Sequence, residues 1–232
     1  MSTGELLLVR HGQASFGASD YDLLSPLGRR QCQLLGEHWR RIGMSAQAAH
    51  CGSMRRQRES AEIALTAAGL ERPLIQSAAF DEYDFGALFR AYGGRVLAED
   101  PDLAGATGAP SGDRRTFQRY FERVIDCWVR DLPPAAPLPE RWVEFCRRAV
   151  AGLRAVAAAE APVLVFTSGG VIAAALREAL RLDDHHTLAV NWRVRNASVH
   201  RLSLGRRGFG LLAFNDCAHL ETARQSELIT YR

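Results

Sequence analysis

Short apolar runs alternate with longer amphipathic stretches along most of this chain. Leu6 to Val9 is uninterruptedly apolar and predicts a first buried strand. Ser25-Pro26 predicts a helix start, with serine as the cap and proline at the first helical position. Leu27, Leu34, Leu35 and Ile42 then mark one face of that helix. Ala46 to Cys51 predicts a second short strand, and Arg55 to Ala68 a helix closed by Gly69 just past its end. Pro73 to Ile75 predicts a third strand.

The rhythm then breaks. Asp100 to Gly112 is rich in Gly, Pro and Ala, and Leu132 to Pro139 carries four prolines. Between them, about Asp113 to Asp131 predicts a helix, and the section reads as an insertion that caps the sheet. A second long helix is expected from about Glu140 to Ala159. Val163 to Phe166 has the apolar run of a central parallel strand. Thr167-Ser168-Gly169-Gly170 turns into a helix over Val171 to Leu180. Val199 to Leu204 and Gly208 to Phe214 predict a closing hairpin around Gly205-Arg206-Arg207. Alternating strands and helices predict a layered α/β fold.

Composition narrows the function classes. The 232 residues are 47% hydrophobic and 24% charged, values of an ordinary globular chain, here one domain with an insertion. No apolar run approaches a membrane span. Met-Ser-Thr-Gly-Glu places no basic region before the first apolar run, which argues against a secretory signal. Five scattered cysteines show no CxxC or Cys/His metal spacing, so reduced thiols and a cytoplasmic location are expected. The net charge is +3, and all 29 basic residues are arginine. They are interleaved with Asp and Glu, so coding bias explains them better than nucleic-acid binding.

Four segments carry candidate chemistry. Arg10-His11-Gly12 follows the first strand, where α/β sheets place ligands. Arginine matches phosphate geometry, histidine offers a nucleophile or general acid/base near neutral pH, and Gly12 lets the backbone turn or approach closely. Gly52 to Ala61 opens a helix whose N-terminus and arginines (Arg55, Arg56, Arg58) suit an anion. Phe80-Asp81-Glu82-Tyr83-Asp84-Phe85-Gly86 flanks carboxyls with aromatics, a setting that raises a carboxyl pKa and suits a general acid. Val163 to Gly170 again joins a strand, a small-residue turn and a helix start. Each segment alone is equally read as a surface arginine, a solvated basic helix face, an acidic loop or a plain helix cap. Asn196-Ala197-Ser198 fits an N-glycosylation pattern but has no secretory context.

In their joint order these segments resemble the histidine phosphatase superfamily, also called phosphoglycerate mutase-like. Leu24 to Gln31, Asn196-Ala197-Ser198 and Asn215 to Leu220 extend the resemblance over nearly the whole chain. The resemblance implies a three-layer α/β/α sandwich with a mainly parallel mixed sheet and a helical cap insertion over about Phe85 to Pro139. It implies a phosphomonoester phosphatase in which His11 becomes phosphorylated as the neutral imidazole. Arg10 and Arg56 hold the phosphoryl oxygens, with Gly12, Ser168 and Gly169 completing the phosphate site. Glu82 protonates the leaving oxygen and then activates water. No metal or other cofactor is implied, since arginines supply the positive charge. The partner is a small phosphorylated substrate, neither nucleic acid nor membrane, and a homodimer is left open.

One departure stands out. Where the family carries a second histidine, this chain has Ser168. Losing a preorganised donor costs ~10²–10³ in rate, and a serine hydroxyl restores only part of it. Three outcomes are therefore compatible with the residues: a slower phosphatase using Ser168, a site completed by another histidine (His185, His186, His200 or His219), or a phosphate-binding module with poor turnover. Mutase-type transfer on phosphoglycerates is a further alternative, disfavoured by Ser168.

Overall fold

The computed structural model describes residues 4–15, 22–106, 114–157, 162–223 and 225–231. The end of the Asp100–Gly112 stretch, the start of the helix expected at Asp113 and the end of the one expected at Ala159 lie outside the described residues. In chain order the elements are β1 (Gly4–Arg10), α1 (Pro26–Arg41), β2 (Ala48–Cys51), α2 (Arg55–Ala68), β3 (Leu74–Gln76), α3 (Phe85–Glu99), α4 (Arg114–Val129) and α5 (Trp142–Val156). They continue with β4 (Val163–Thr167), α6 (Gly169–Leu180), α7 (Asp184–Asn191), β5 (Val199–Gly205), β6 (Gly208–Asp216) and α8 (Ala218–Glu221). The chain divides into two compact units, the second centred on Tyr83–Arg147.

The first unit carries one six-stranded sheet of order β3-β2-β4-β1-β5-β6. β1 pairs parallel with β4, and β2 pairs parallel with both β4 and β3, while β5 runs antiparallel to β1 and β6. Leu6–Val9 of β1 and Val163–Phe166 of β4 are uninterruptedly apolar because both faces of the sheet are covered there. One face (Leu7, Val9, Ala49, Cys51, Leu164, Phe166) packs on Leu35 and Trp39 of α1 and Ala61, Ala64 and Leu65 of α2. Leu6, Leu8 and Val165 are fully buried on the other face, where α6 packs against β1 and β6. Each fully buried Leu or Val side chain contributes about 1.5–3 kcal/mol. Helices on both faces make the three-layer α/β/α sandwich with a mainly parallel mixed sheet that the resemblance implies.

Helix ends follow their local chemistry. Ser25 caps α1 by accepting from the Gly28 N–H at 3.0 Å, and Gly69 ends α2 in the left-handed conformation. The predicted apolar stripe of α1 divides between two partners. Leu35 and Trp39 face the sheet, while Leu27 and Leu34 pack against Cys217, Leu220 and Leu228 near the C-terminal end. Ile42 lies beyond the last helical turn and is 59% exposed, so it does not belong to the stripe.

The second unit has its own aromatic core. Tyr83 packs against Phe85 and Trp128 with ring centroids 4.7 and 5.0 Å apart, and Trp128 meets Trp142 at 5.3 Å. Helix α3 escapes prediction because Gly93-Gly94 interrupts its pattern, each glycine costing about 1 kcal/mol of helix propensity. Packing demands Gly93: a Cβ there would sit 2.3 Å from the Tyr120 hydroxyl oxygen.

Candidate active site

The site lies in the first unit, at the carboxyl ends of two neighbouring parallel strands. The β1–β4 ladder runs to the pair Arg10 and Thr167, and the His11 N–H extends it by donating to the Thr167 carbonyl at 2.9 Å. The turns that leave β1 and β4 therefore emerge side by side, at the edge where open α/β sheets bind ligands.

His11 follows β1 directly and is 5% exposed. Its Nδ1–H donates to the Gly12 carbonyl at 2.7 Å. Arg56 Nε–H points at His11 Nε2 from 3.3 Å. A guanidinium can only donate, so Nε2 must carry the lone pair. The two contacts independently assign the same tautomer. Burial, then the positive charges of Arg56 and Arg10, hold the imidazole pKa well below its ordinary 6.5, against the opposing pull of the Gly12 bond. His11 is thus a neutral base at pH 7.

The backbone around His11 is fixed from several sides. Its carbonyl accepts from the Ala197 N–H at 3.2 Å and from Asn196 Nδ2 at 3.3 Å. The Gly12 N–H donates to Ser60 Oγ at 3.0 Å, and Ser60 in turn donates to the Arg56 carbonyl at 2.6 Å. A Cβ on Gly12 would lie 2.4 Å from the Gly28 carbonyl oxygen, so only glycine permits this approach to α1.

Of the three arginines at the start of α2, Arg56 is the one that reaches His11. It is 5% exposed, whereas Arg55 is exposed and Arg58 leans toward Glu62 at 3.7 Å. Arg56 Nη1 also donates to Asp22 at 2.7 Å. The Asp22 carboxylate accepts the Arg55 N–H at 2.7 Å as well. It thereby supplies the cap that Met54, at the N-cap position of α2, cannot. The Arg10 guanidinium donates to the Val194 carbonyl and lies against the start of α6, where a Cβ on Gly169 would be 3.9 Å from its Cζ.

Glu82 and Ser168 meet at the N-terminus of α6. Glu82 is 9% exposed and its Oε2 accepts the Gly170 N–H at 3.0 Å. Its neighbour Asp81 is committed elsewhere, to Ser53. Ser168 is fully buried at the N-cap position of α6, yet its side chain makes no capping bond. Instead Ser168 Oγ accepts from Gln57 Nε2 at 2.8 Å. Contacts thus run from His11 through Arg56 and its neighbour Gln57 to Ser168, and through the Gly169-Gly170 turn to Glu82. All seven predicted site residues (Arg10, His11, Gly12, Arg56, Glu82, Ser168 and Gly169) gather at this end of the sheet. The arrangement offers a neutral imidazole lone pair, two guanidiniums, a carboxyl and two helix N-termini, a set suited to a tetrahedral oxyanion.

The other histidines stand apart from this chemistry. His200 is buried, with Nε2 on Ser198 Oγ and Nδ1 on the Asn215 N–H, and burial and Arg10 push its pKa down to about 3. His219 hydrogen-bonds the Ala197 backbone, and burial brings its pKa to about 4. It lines a separate cleft of about 230 Å³ with His38 and Trp39. His185 and His186 are exposed on α7.

Sequence reading missed four residues here. Asp22 carries no motif, and Gln57 sits unremarked beside Arg56. Ser60 entered only as part of the Gly52–Ala61 segment, and Asn196 only within the Asn196-Ala197-Ser198 triplet, with no role of its own. Their roles are contacts between distant segments, which a linear pattern does not display. Among the described residues, no group of three or more His, Cys, Asp or Glu is placed to hold a metal ion, and no helix is long and apolar enough to cross a membrane.

Comparison with known proteins identifies a family and similar folds. Residues 6–217 match the sequence profile of the family described as "Histidine phosphatase superfamily (branch 1)". Similar solved structures include a phosphoglycerate mutase from Bacillus anthracis str. Sterne, 18% identical, with a TM-score of 0.65 over 97% of this chain and 98% of that one. An alpha-ribazole phosphatase from Shigella flexneri is 16% identical, with a TM-score of 0.62 over 92% and 96% of the two chains. A mycobacterial glucosyl-3-phosphoglycerate phosphatase is 20% identical, with a TM-score of 0.55 over 91% and 98%. No curated protein matches the chain in sequence. The family profile covers most of the chain, and the chain belongs to the histidine phosphatase superfamily, branch 1.

Proposed function

We propose that the protein is a phosphomonoester phosphatase working through a phosphohistidine on His11. The observation that carries this reading is the buried, neutral imidazole, anchored through Nδ1–H and directing the Nε2 lone pair toward Arg56. When substrate enters, the Arg56 Nε–H moves from Nε2 to a phosphoryl oxygen, and Arg10 binds a second one. Nε2 attacks phosphorus as the bond to the leaving oxygen breaks. Glu82, protonated, gives that oxygen its proton. A water then attacks the phosphohistidine, Glu82 takes the water's proton, the N–P bond breaks, and phosphate leaves with His11 restored.

In this reading Ser168 stands where the family's second imidazole would be, and it supplies a neutral donor in place of a charged one. That substitution favours hydrolysis over mutase transfer, because reversible transfer between two phosphate positions needs the stronger grip. The insertion over about Phe85 to Pro139 selects the substrate, a small phosphorylated molecule in the cytoplasm. Similar folds include both a mutase and phosphatases, so the fold leaves the substrate open.

The test is hydrolysis of p-nitrophenyl phosphate from pH 5 to 8 by wild type and His11→Ala, with 3-phosphoglycerate isomerisation measured in parallel. Wild-type hydrolysis that falls to background in His11→Ala is expected. Equal rates in the two proteins contradict the proposal, and isomerisation outpacing hydrolysis makes the protein a mutase.

A further inference from the structure

We infer that Gln57 is a positioning residue that fixes Ser168 as a hydrogen-bond donor to the phosphoryl group; the inference rests on the phosphatase reading above. The Phe80 carbonyl accepts from Thr167 Oγ1 at 2.7 Å and from the Gln57 side chain at 3.0 Å. A carbonyl oxygen has no proton to give, so the Gln57 group facing it is the NH2, and the carboxamide has one orientation. The same NH2 places its second proton on Ser168 Oγ at 2.8 Å. Both Gln57 protons are then spent, and Ser168 is the acceptor in their contact.

Ser168 therefore keeps its own proton. That hydroxyl is fully buried, makes no capping bond to α6, and has no other hydrogen bond among the described residues. A buried hydroxyl that only accepts is an incomplete group. The two residues that follow Ser168 meet the site's charged groups: Gly169 lies against Arg10, and the Gly170 N–H is held by Glu82. A phosphoryl oxygen drawn to this end of the sheet is the acceptor that completes the hydroxyl.

Gln57 is itself held for this task. It is fully buried, and its Oε1 fills space that a Cβ on Gly52 would occupy, 1.9 Å away. Oε1 has no partner among the described residues, so the carboxamide is kept in place by its two donated bonds. Thr167 still satisfies the Phe80 carbonyl if Gln57 is replaced, so an apolar isostere is tolerated.

The experiment compares wild type, Gln57→Met, Ser168→Ala and the double variant, with His11→Ala as the blank. Methionine keeps the volume and removes both donated bonds. The expected result is a loss of about 10-fold to 10²-fold in kcat for each single variant, with KM changed little and the double variant no worse than Ser168→Ala. Wild-type kcat in Gln57→Met, or losses that multiply in the double variant, overturns the inference. A second readout is independent of turnover. Orthovanadate affinity by calorimetry should fall about tenfold in both single variants, because the same donor is lost. Unchanged affinity overturns the inference even if wild type proves no faster than His11→Ala, an outcome that would defeat the phosphatase reading separately.

Discussion

The turns after β1 and β4 lie side by side, yet they are built in opposite ways. The β1 turn carries its chemistry in its own residues. Arg10, His11 and Gly12 are consecutive; Ser60 and Asn196 hold their backbone, and of the groups from distant segments described above Arg56 alone meets the imidazole itself. The β4 turn carries little of its own. Ser168, Gly169 and Gly170 are small, and what they can do depends on partners sent from elsewhere, Gln57 from α2 and Glu82 from the segment before α3. A nucleophile must be one particular atom, so its turn is chemically explicit. A donor surface can be assembled from several segments, so its turn is chemically plain.

The largest test of that contrast exchanges the parts. The Gln57 carboxamide stands 2.8 Å from Ser168 Oγ in a fully buried site, so an imidazole at position 168 has no room while Gln57 remains. Ser168→His alone is expected to match or fall below wild type in kcat. Ser168→His combined with Gln57→Ala is expected to exceed Ser168→Ala by about tenfold or more, because a charged donor returns to a space opened for it. Steady-state kinetics on one aryl phosphate decides it. A strong gain from Ser168→His alone would show that Gln57 does not define this half of the site.

The pH profile sharpens the same contrast. No titrating side chain lies in the Gln57–Ser168 pair, and His11 stays neutral well below pH 6.5. Wild-type kcat/KM is expected to show no acid-side loss centred near 6.5. In the double exchange, activity should fall as pH rises through the pKa of the new imidazole, since only its protonated form carries charge. An acid limb near 6.5 in the wild type would mean that His11 is not held neutral.

The smallest effect is on stability. His11, His200 and His219 are buried with lowered pKa values, about 3 and 4 for the latter two. Their folded forms stay neutral while the unfolded chain takes up protons below about pH 6.5. Stability is therefore full above that pH and declines as pH falls, by at most about 1.4 kcal/mol per pH unit for each histidine. Urea midpoints at pH 7 and pH 5 measure the decline, and His219→Asn, which lies outside the catalytic turns, should reduce it by its own share. An unchanged decline in that variant would contradict the assignment.

The same asymmetry explains what the sequence displays. The β1 strand, the arginine–histidine–glycine turn, the serine-capped start of α1 and the glycine end of α2 follow local rules of period and capping, and they are legible. Helix α3 is hidden because Gly93 answers to Tyr120 rather than to helix propensity. Ile42 misleads because an apolar residue in phase can still fall beyond the last turn. Asp22, Gln57 and Asn196 are invisible for a related reason. Each acts across 34 to 185 positions of chain, and neither composition nor spacing records such a contact.

The most direct test is to find the phosphoryl group on the protein. Enzyme mixed with an aryl phosphate, quenched in alkali and digested, should yield one acid-labile phosphopeptide carrying the modification on Nε2 of His11. Modification on Nδ1, on Ser168 or on no residue during measurable turnover would contradict the account.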